Sequence, residues 1–289
     1  MREKLIDILA SGSPPEAVAW LRGIVASQLG SFEKRPFYYA FSGVSRHFDK
    51  RGLVSPSENE LSALLRTVPG FTVAGWDQFR LARVVLLLTL AEQPKSTFLE
   101  TLDALLNTAD LREQAAIFSA YPILPHQSKL VESAVDGLRT NIVDVFDAIA
   151  LDNPFPAEHF SDEEWNQMVL KAIFIGRPLY RIQGIDERAN RTLARAISDL
   201  AHERWAAGRT ITPEAWRSAA PFVDERIAGD VEKVAAGELA SDREAAALVV
   251  SAARSDRLEP LRGPLETELR GVENGDITWH TLGRSLENR

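Results

Sequence analysis

Acidic side chains in residues 131–151 carry the clearest potential for metal chemistry. Wound as one helix at about 100° per residue, this segment places Asp136, Asp144 and Asp147 on a single stripe. Hard divalent cations prefer carboxylate oxygens, so the stripe is a candidate cation site. A polar stripe opposite an apolar one is more often a solvated helix face, and we prefer that interpretation.

A second candidate is an arginine on an apolar helix face. In residues 187–207, Arg204 shares a face with Leu193 and Ile197. A guanidinium keeps its charge, so its burial requires a carboxylate, several carbonyl oxygens or an anionic ligand. We expect a structural ion pair and keep anion binding as the alternative.

Asn166 raises the same question for an amide. It lies between Leu170 and Ile173 on the winding of residues 162–175, which are apolar around most of the helix. A buried amide without a partner costs about 1 to 3 kcal/mol, so Asn166 needs a hydrogen-bonding partner. We expect a structural contact, such as one with the turn 153–156, and keep a ligand contact as the alternative.

Signatures of catalysis and of cofactor binding are missing. The sequence has no G-x-G-x-x-G, no P-loop and no nucleophile elbow, and its five histidines are scattered without a metal-binding spacing. The absence of cysteine excludes thiolate nucleophiles, thiolate zinc sites and iron–sulfur clusters. We therefore predict no catalytic residue, no metal and no cofactor.

Composition indicates a class of protein rather than a function. The chain has 289 residues, 45% of them hydrophobic, and a net charge of −8. Nucleic acid and anionic lipid attract clustered basic surfaces, so neither is an expected partner. The most apolar run, residues 81–91, is shorter than the roughly 20 residues of a membrane span, and the N-terminus is too polar for a signal peptide. We expect a globular protein of the cytoplasm.

Apolar residues recur at spacings of three and four along most of the chain, and clean alternation is absent. This pattern predicts an all-α fold, an irregular array of antiparallel helical hairpins that is HEAT-like or α-solenoid-like, with no fixed repeat. The predicted helices span residues 16–30, 36–48, 58–67, 76–92, 96–108, 111–120, 126–151, 162–175, 187–207, 213–220, 227–237, 243–254 and 277–286.

The helices are expected to form a single elongated domain over residues 1–289. The proline-containing loop 152–160 is the best candidate for an internal boundary, and the tail 260–289 is the part that the pattern defines least. Residues 162–175 are expected to form the central, buried helix.

Capping residues mark several predicted helix boundaries. Ser161 with Glu164 predicts a capping box, and Gly208 predicts the residue that follows a helix C-terminus. Asp242 is expected to cap the helix that contains the alanine-rich run 245–250.

Five stretches of the sequence carry a family resemblance. They read RTNIVDVFDAIALDNPFPAEHF (139–160), WNQMVLKAIFIGRPLYRIQGIDERAN (165–190), LARAISDLAHERWAAGR (193–209), PEAWRSAAPF (213–222) and PGFTVAGWDQFRLARVVLLL (69–88). Together they resemble the EboA family, whose members are encoded in bacterial ebo clusters. Such clusters are associated with a prenyltransferase-like membrane protein, a TatD-like hydrolase and sugar-phosphate-type enzymes.

The resemblance implies a role in making or moving a secondary-metabolite precursor, in some cases from cytoplasm to periplasm. It implies, as partners, other ebo-cluster proteins, a small polar or anionic metabolite, or both, and a location in the cytoplasm or at a membrane through a partner. The candidate ligand-binding residues are Arg139, Asn141, Asn153, Glu158, Asn166, Lys171, Asn190 and Arg204. Further polar residues of the same stretches are Asp186, Arg188, Glu203 and Arg209, of which Arg188 is expected to face solvent.

Three functions compete at this point. The first is a non-enzymatic small-molecule carrier or protein adaptor with a polar groove between helices. The second is a metal- or carboxylate-dependent enzyme that uses Asp144, Asp147, Glu158 and His159 on a sugar-like or prenylated precursor. The third is a scaffold for the other cluster proteins. We prefer the first.

Overall fold

The computed structural model describes residues 1–253 and 255–288, and these divide into two compact units, Met1–His159 and Phe160–Arg289. Unit 1 contains the helices α1 (Arg2–Ala10), α2 (Pro15–Gly30), α3 (Lys34–Gly43), α4 (Glu58–Thr67), α5 (Gln78–Leu90), α6 (Lys95–Thr108), α7 (Leu111–Ala120), α8 (Val131–Gly137), α9 (Val143–Ala150) and α10 (Phe155–His159). Unit 2 contains α11 (Asp162–Phe174), α12 (Arg191–Ala206), α13 (Glu225–Ala235), α14 (Ala240–Ala252), α15 (Glu266–Glu273) and α16 (Trp279–Glu287).

Short 3₁₀ helices connect several of these elements, at Val44–Arg46, Tyr121–Ile123, Gln127–Lys129, Leu179–Arg181, Pro213–Ser218, Ala220–Phe222 and Asp256–Leu261. The described residues contain no strand, only an isolated bridge between Leu53 and Asp77. The predicted all-α fold is therefore confirmed. No helix in the part of the chain that the structure describes has the length and apolar character needed to span a membrane.

Unit 1 is built around α5, which packs against α1, α2 and α7. Every residue from Leu81 to Leu90 is buried, including Arg83. The Nη2 atom of Arg83 lies 3.5 Å from Glu113 Oε1, and Nε of Arg83 donates to the carbonyl oxygen of Phe41. Burial lowers the pKa of Arg83, and the charge of Glu113 opposes that change. A charge inside the most apolar helix is thus tolerated because α7 supplies its counterion.

Unit 2 is built around α14, which packs against α13, α15, α16 and the 3₁₀ helix Pro213–Ser218. The predicted capping box starts α11, and its Trp165, Val169 and Ala172 are fully buried as predicted. The expectation of an apolar, buried circumference fails at its C-terminal end, where Phe174 is 62% exposed.

The predicted helix 126–151 is wrong, because the segment forms two helices. A turn interrupts the helical winding after Gly137, and the hydroxyl of Thr140 accepts a hydrogen bond from the amide of Ile142. Short polar side chains compete in this way with the helical hydrogen bonds. The predicted acidic stripe therefore does not exist on one helix, and Asp136 instead pairs with Arg139.

Other boundaries also differ from prediction. The helix expected over 187–207 begins at Arg191, and the predicted loop 152–160 contains α10. The segment 213–220 is 3₁₀ rather than α-helical, and α14 begins at Ala240, which places Asp242 in its first turn instead of at the cap. Helices α1 and α15 were not predicted.

Gly208 follows α12 with a φ of +68°, as predicted. Two residues lie outside the described part of the chain. They are Arg254, the expected end of the helix 243–254, and Arg289, the expected end of the tail 260–289.

Replacing Trp165 by Ala should lower the free energy of unfolding by about 3 to 5 kcal/mol, because it removes a fully buried indole and leaves a cavity. Phe174→Ala, on the same helix but exposed, should change it by less than about 0.5 kcal/mol. Urea denaturation of both variants checks this, and equal losses would contradict the assigned faces of α11.

Candidate functional site

Three of the predicted ligand-binding residues lie on the surface of unit 1. Arg139 is exposed and donates to Asp136, and Asn141 is exposed in the turn between α8 and α9. Glu158 is exposed beside the imidazole of His159, with 3.7 Å between Oε2 and Nε2. These residues face solvent within unit 1 and form no cluster there.

Asn153 is buried and uses its amide inside unit 1. Its Nδ2 donates to the carbonyl oxygens of Ala148 and Phe118, and its Oδ1 accepts from the amide of Phe155. The side chain thereby ties the turn after α9 to the start of α10 and to α7. This satisfies the amide within the protein.

Asn166 and Asn190 form a reciprocal amide pair. Asn166 Nδ2 donates to Asn190 Oδ1 at 3.2 Å, and Asn190 Nδ2 donates to Asn166 Oδ1 at 2.8 Å. Asn190 also caps α12 by accepting from the amide of Leu193. The partner of Asn166 is therefore structural, although it is the cap of α12 rather than the turn 153–156.

Arg188 is not directed to solvent as predicted. Its guanidinium lies over the ring of Trp165, 5.0 Å from the centroid, and Nη2 donates to the carbonyl oxygen of Phe160 and to Asp162. The prediction extended the helix of Arg191 too far towards the N-terminus, so it assigned Arg188 to the wrong face.

Arg204 lines a cleft of about 490 Å³ in unit 2. The cleft is lined by Ile173, Phe174, Gly176, Arg177, Pro178, Arg204, Thr210, Ile211, Thr212, Pro213, Glu214, Leu239, Ser241, Asp242, Gly283, Leu286 and Glu287, and we call it the Arg204 cleft. Asn166, Lys171 and Asn190 are not among its lining residues. Lys171 is partly buried elsewhere in unit 2, and this burial lowers the pKa of its ammonium group.

The ion pair expected for Arg204 is not formed within the described residues. Arg204 is partly buried, and its Nε donates to the carbonyl oxygen of Thr210 at 2.6 Å. Its terminal nitrogens Nη1 and Nη2 make no hydrogen bond to any described residue. Two charged donors therefore remain available beside the cleft.

Glu214 forms a wall of the cleft with a buried carboxylate. It accepts from the amides of Leu179, at 3.2 Å, and Tyr180, at 2.7 Å. Burial raises the pKa of Glu214, and these two hydrogen bonds and the charge of Arg217 only partly offset that effect.

Gly283 of α16 touches the same carboxylate. A Cβ at this position would collide with the ring of Tyr180 and with the carboxylate of Glu214, so only glycine permits the approach of α16.

Glu287 is also occupied by donors from the protein. It accepts from the hydroxyl of Tyr180 and from Nη1 of Arg181. Burial alone would raise its pKa, but these two hydrogen bonds outweigh burial, and the pKa of Glu287 is lowered. Glu214 and Glu287 therefore use their oxygens to hold the walls together.

The start of α14 leaves further donors at the cleft. Ser241 is 1% exposed, lines the cleft, and its hydroxyl has no hydrogen-bond partner among the described residues. The N-cap residue Leu239 offers no side-chain acceptor to the first amides of the helix. The N-terminus of a helix favours negative charge, so the hydroxyl, these amides and Arg204 are all suited to an acceptor or an anion.

A second cavity, of about 550 Å³, lies between α12 and α13. Asp230, which is 4% exposed, accepts from His202 Nε2 at 2.6 Å and from Ser198 Oγ at 2.5 Å. The ammonium group of Lys233 lies 4.1 Å from the ring centroid of Trp205 at the same cavity. Ser198 binds the carboxylate and not the imidazole, so it orients Asp230 and is not a nucleophile activated by His202.

Metal-binding clusters are absent from the described residues, where no three His, Asp or Glu side chains lie close enough to hold an ion.

Sequence reasoning missed Glu214, Ser241, Gly283 and the pair of His202 with Asp230. Asp230 had a usable signal, because it falls on the apolar stripe of Ile227, Val231 and Val234 at a spacing of three or four. The others had none, because their positions matter only through contacts between elements distant in sequence.

The comparisons with known proteins place the chain in a family. The family model described as metabolite traffic protein EboA matches residues 1–220, which is more than half of the chain, so the chain belongs to the EboA family. No curated protein and no solved structure matches it. The match includes Arg204 and Glu214 and ends before Ser241 and Gly283.

Replacing Gly283 by Ala should destabilise the protein by about 1 to 3 kcal/mol, because the added methyl group forces Tyr180 and Glu214 apart. Gly263→Ala is the matched control, since a Cβ there meets no atom within 4 Å. Urea denaturation compares the two, and a harmless Gly283→Ala would refute the close approach.

Glu214 should make stability depend on pH. A carboxyl group whose pKa is raised by folding holds its proton more tightly in the folded state, so its contribution falls as pH rises from about 4.5 through the raised pKa. Glu214→Gln should therefore gain stability relative to the wild type over that range, whereas the exposed Glu238→Gln should not. Denaturation at pH 4 to 8 measures the difference, and a constant difference would contradict the prediction.

Proposed function

We propose that this member of the EboA family is a non-enzymatic accessory protein that carries a small polar or anionic metabolite in the Arg204 cleft. One observation supports this most directly. Arg204 lies partly buried at a cleft, its Nε donates to Thr210, and its terminal nitrogens Nη1 and Nη2 are unused by any described residue. A ligand could supply hydrogen-bond acceptors for these terminal nitrogens of Arg204.

The balance of donors and acceptors supports the same proposal. The carboxylates of Glu214 and Glu287 each accept two hydrogen bonds from the protein, and Asp242 has an interaction of its own within the protein. Arg204 and Ser241 instead retain donors. The unused nitrogens of Arg204 and the hydroxyl of Ser241 are donors, which favours a ligand that accepts hydrogen bonds.

The volume of the cleft fits a small molecule. Small-molecule sites are typically about 300 to 1,000 Å³ with few polar groups among apolar ones, and the Arg204 cleft has about 490 Å³. A ligand role for Arg139, Asn141, Asn153, Glu158, Asn166, Lys171 and Asn190 remains a prediction, as do the cytoplasmic location and an adaptor role towards other ebo-cluster proteins.

The pair of His202 with Asp230 favours a second candidate function, that of an enzyme. With Nε2 bound to a buried carboxylate, the Nδ1 atom of His202 is the nitrogen left to exchange a proton with a substrate in the second cavity. If this is correct, metabolite released from the protein should be converted on incubation with it, as followed by NMR, and Asp230→Asn should stop the conversion. An unchanged metabolite supports the carrier.

The carrier proposal predicts that the full chain purified from its natural host retains a small molecule detectable by native mass spectrometry. Arg204→Gln should lose most of it, because the charged fork is removed. The apo variant should lose only about 0.5 to 1.5 kcal/mol of stability, for the single bond to Thr210.

Arg195→Gln is the matched control, since Arg195 is an exposed arginine of the same helix outside the cleft. It should retain the bound molecule. An empty wild-type protein, or equal retention by Arg204→Gln, would refute the proposal.

A further inference from the structure

Two exposed apolar side chains mark the Arg204 cleft. In the described residues of unit 2, the large hydrophobic side chains that remain exposed are Phe174, at 62%, and Leu239, at 52%, and both line this cleft. They come from different helical elements, the end of α11 and the residue before α14. Exposed apolar surface beside a cleft commonly marks a binding site.

Further apolar residues continue this surface within the cleft. Ile173 and Ile211 are buried among its lining residues, and Leu286 is partly buried there. The polar donors of Arg204 and Ser241 line the same cleft. One cavity therefore combines unused hydrogen-bond donors with an apolar surface that nothing in the described chain covers.

We propose that the ligand of the Arg204 cleft is an amphiphile, with an anionic head group that Arg204, Ser241 and the start of α14 bind, and an apolar chain that covers Phe174 and Leu239. This inference rests on the proposed carrier function and names its ligand class. A purely polar ligand would leave both apolar side chains in water, and a purely apolar one would leave the donors of Arg204 unused and desolvated.

Carriage explains why such a ligand needs a protein. Free amphiphiles partition into membranes or aggregate, because water solvates only their head group. A cleft that covers the alkyl part of the ligand and pairs with its head group prevents both membrane partitioning and aggregation.

Three probes separate the contributions that the head group and the alkyl part of the ligand make to binding. Isothermal titration calorimetry of the full chain would use dodecyl phosphate, inorganic phosphate and dodecyl maltoside, each below its critical micelle concentration. We expect dodecyl phosphate to bind at least about tenfold more tightly than inorganic phosphate, since burial of two methylene groups already supplies about that factor. It should also bind at least about tenfold more tightly than dodecyl maltoside, which has the same alkyl group but no anionic head group to pair with Arg204. Its binding should also show a negative heat-capacity change, the mark of apolar burial.

Variants assign the two parts of the ligand to the two parts of the cleft. Phe174→Ser with Leu239→Ser should reduce dodecyl phosphate affinity about tenfold or more and leave phosphate affinity unchanged. Both side chains are exposed, so the variant should fold normally. Leu53→Ser, which changes a 63% exposed leucine in unit 1, is the control and should bind like the wild type.

The outcomes distinguish this inference from the proposed function. Equal affinity for dodecyl phosphate and inorganic phosphate would overturn the amphiphile and leave the carrier intact. Equal affinity for dodecyl maltoside and dodecyl phosphate would overturn the proposal that the head group of the ligand is anionic. A wild-type dimer that the double serine variant converts to monomer would assign the apolar surface to a second copy and overturn the inference. Failure of all three probes, together with an empty protein in native mass spectrometry, would refute both proposals.

Discussion

The buried carboxylate of Glu214 is the constraint on which the Arg204 cleft depends. It accepts the amides of Leu179 and Tyr180 and so fixes the 3₁₀ helix Leu179–Arg181 against Pro213–Ser218. Helix α16 can pack against these two 3₁₀ helices only because Gly283 has no side chain. A carboxylate in this environment is costly unless its oxygens are satisfied, so the same bonds that stabilise Glu214 also fix the cleft walls.

Several polar side chains of unit 2 pair with one another, whereas others keep unused donors. Asn166 with Asn190, and Asp230 with Ser198 and His202, satisfy each other and join helices. Arg204 keeps two terminal nitrogens without a described partner at the Arg204 cleft. Four described side chains of unit 2 have a buried polar atom without a partner, and of these Ser241 lines the cleft, whereas Trp165, Trp216 and Ser218 do not. A buried hydroxyl without a partner is uncommon in native proteins, so the cleft that combines the hydroxyl of Ser241 with the unused nitrogens of Arg204 is where a ligand is most reasonably sought. The carrier proposal follows from this contrast and not from a catalytic motif.

Local patterns predicted the helices well where both the apolar spacing and the cap agreed. In α11 the capping box at Ser161 and the apolar positions Trp165 and Val169 gave the start and the buried face correctly. In residues 131–151 the spacing alone suggested a single helix, because apolar residues can keep the same periodicity across two consecutive short helices. The turn after Gly137 contains a side-chain hydrogen bond of Thr140, which hydrophobic spacing does not register.

The amino-acid sequence alone determined the all-α class, the absence of thiol chemistry and, through its resemblance, the EboA family, since each depends on composition or on residues close along the chain. It also identified Arg204 as the informative charge. Only the tertiary structure decided that this arginine has no carboxylate partner among the described residues and lines a cleft with Ser241 and Gly283. Those residues lie on α14 and α16, and their meeting with Arg204 results from packing between elements that are distant in sequence, which periodicity within one helix cannot encode.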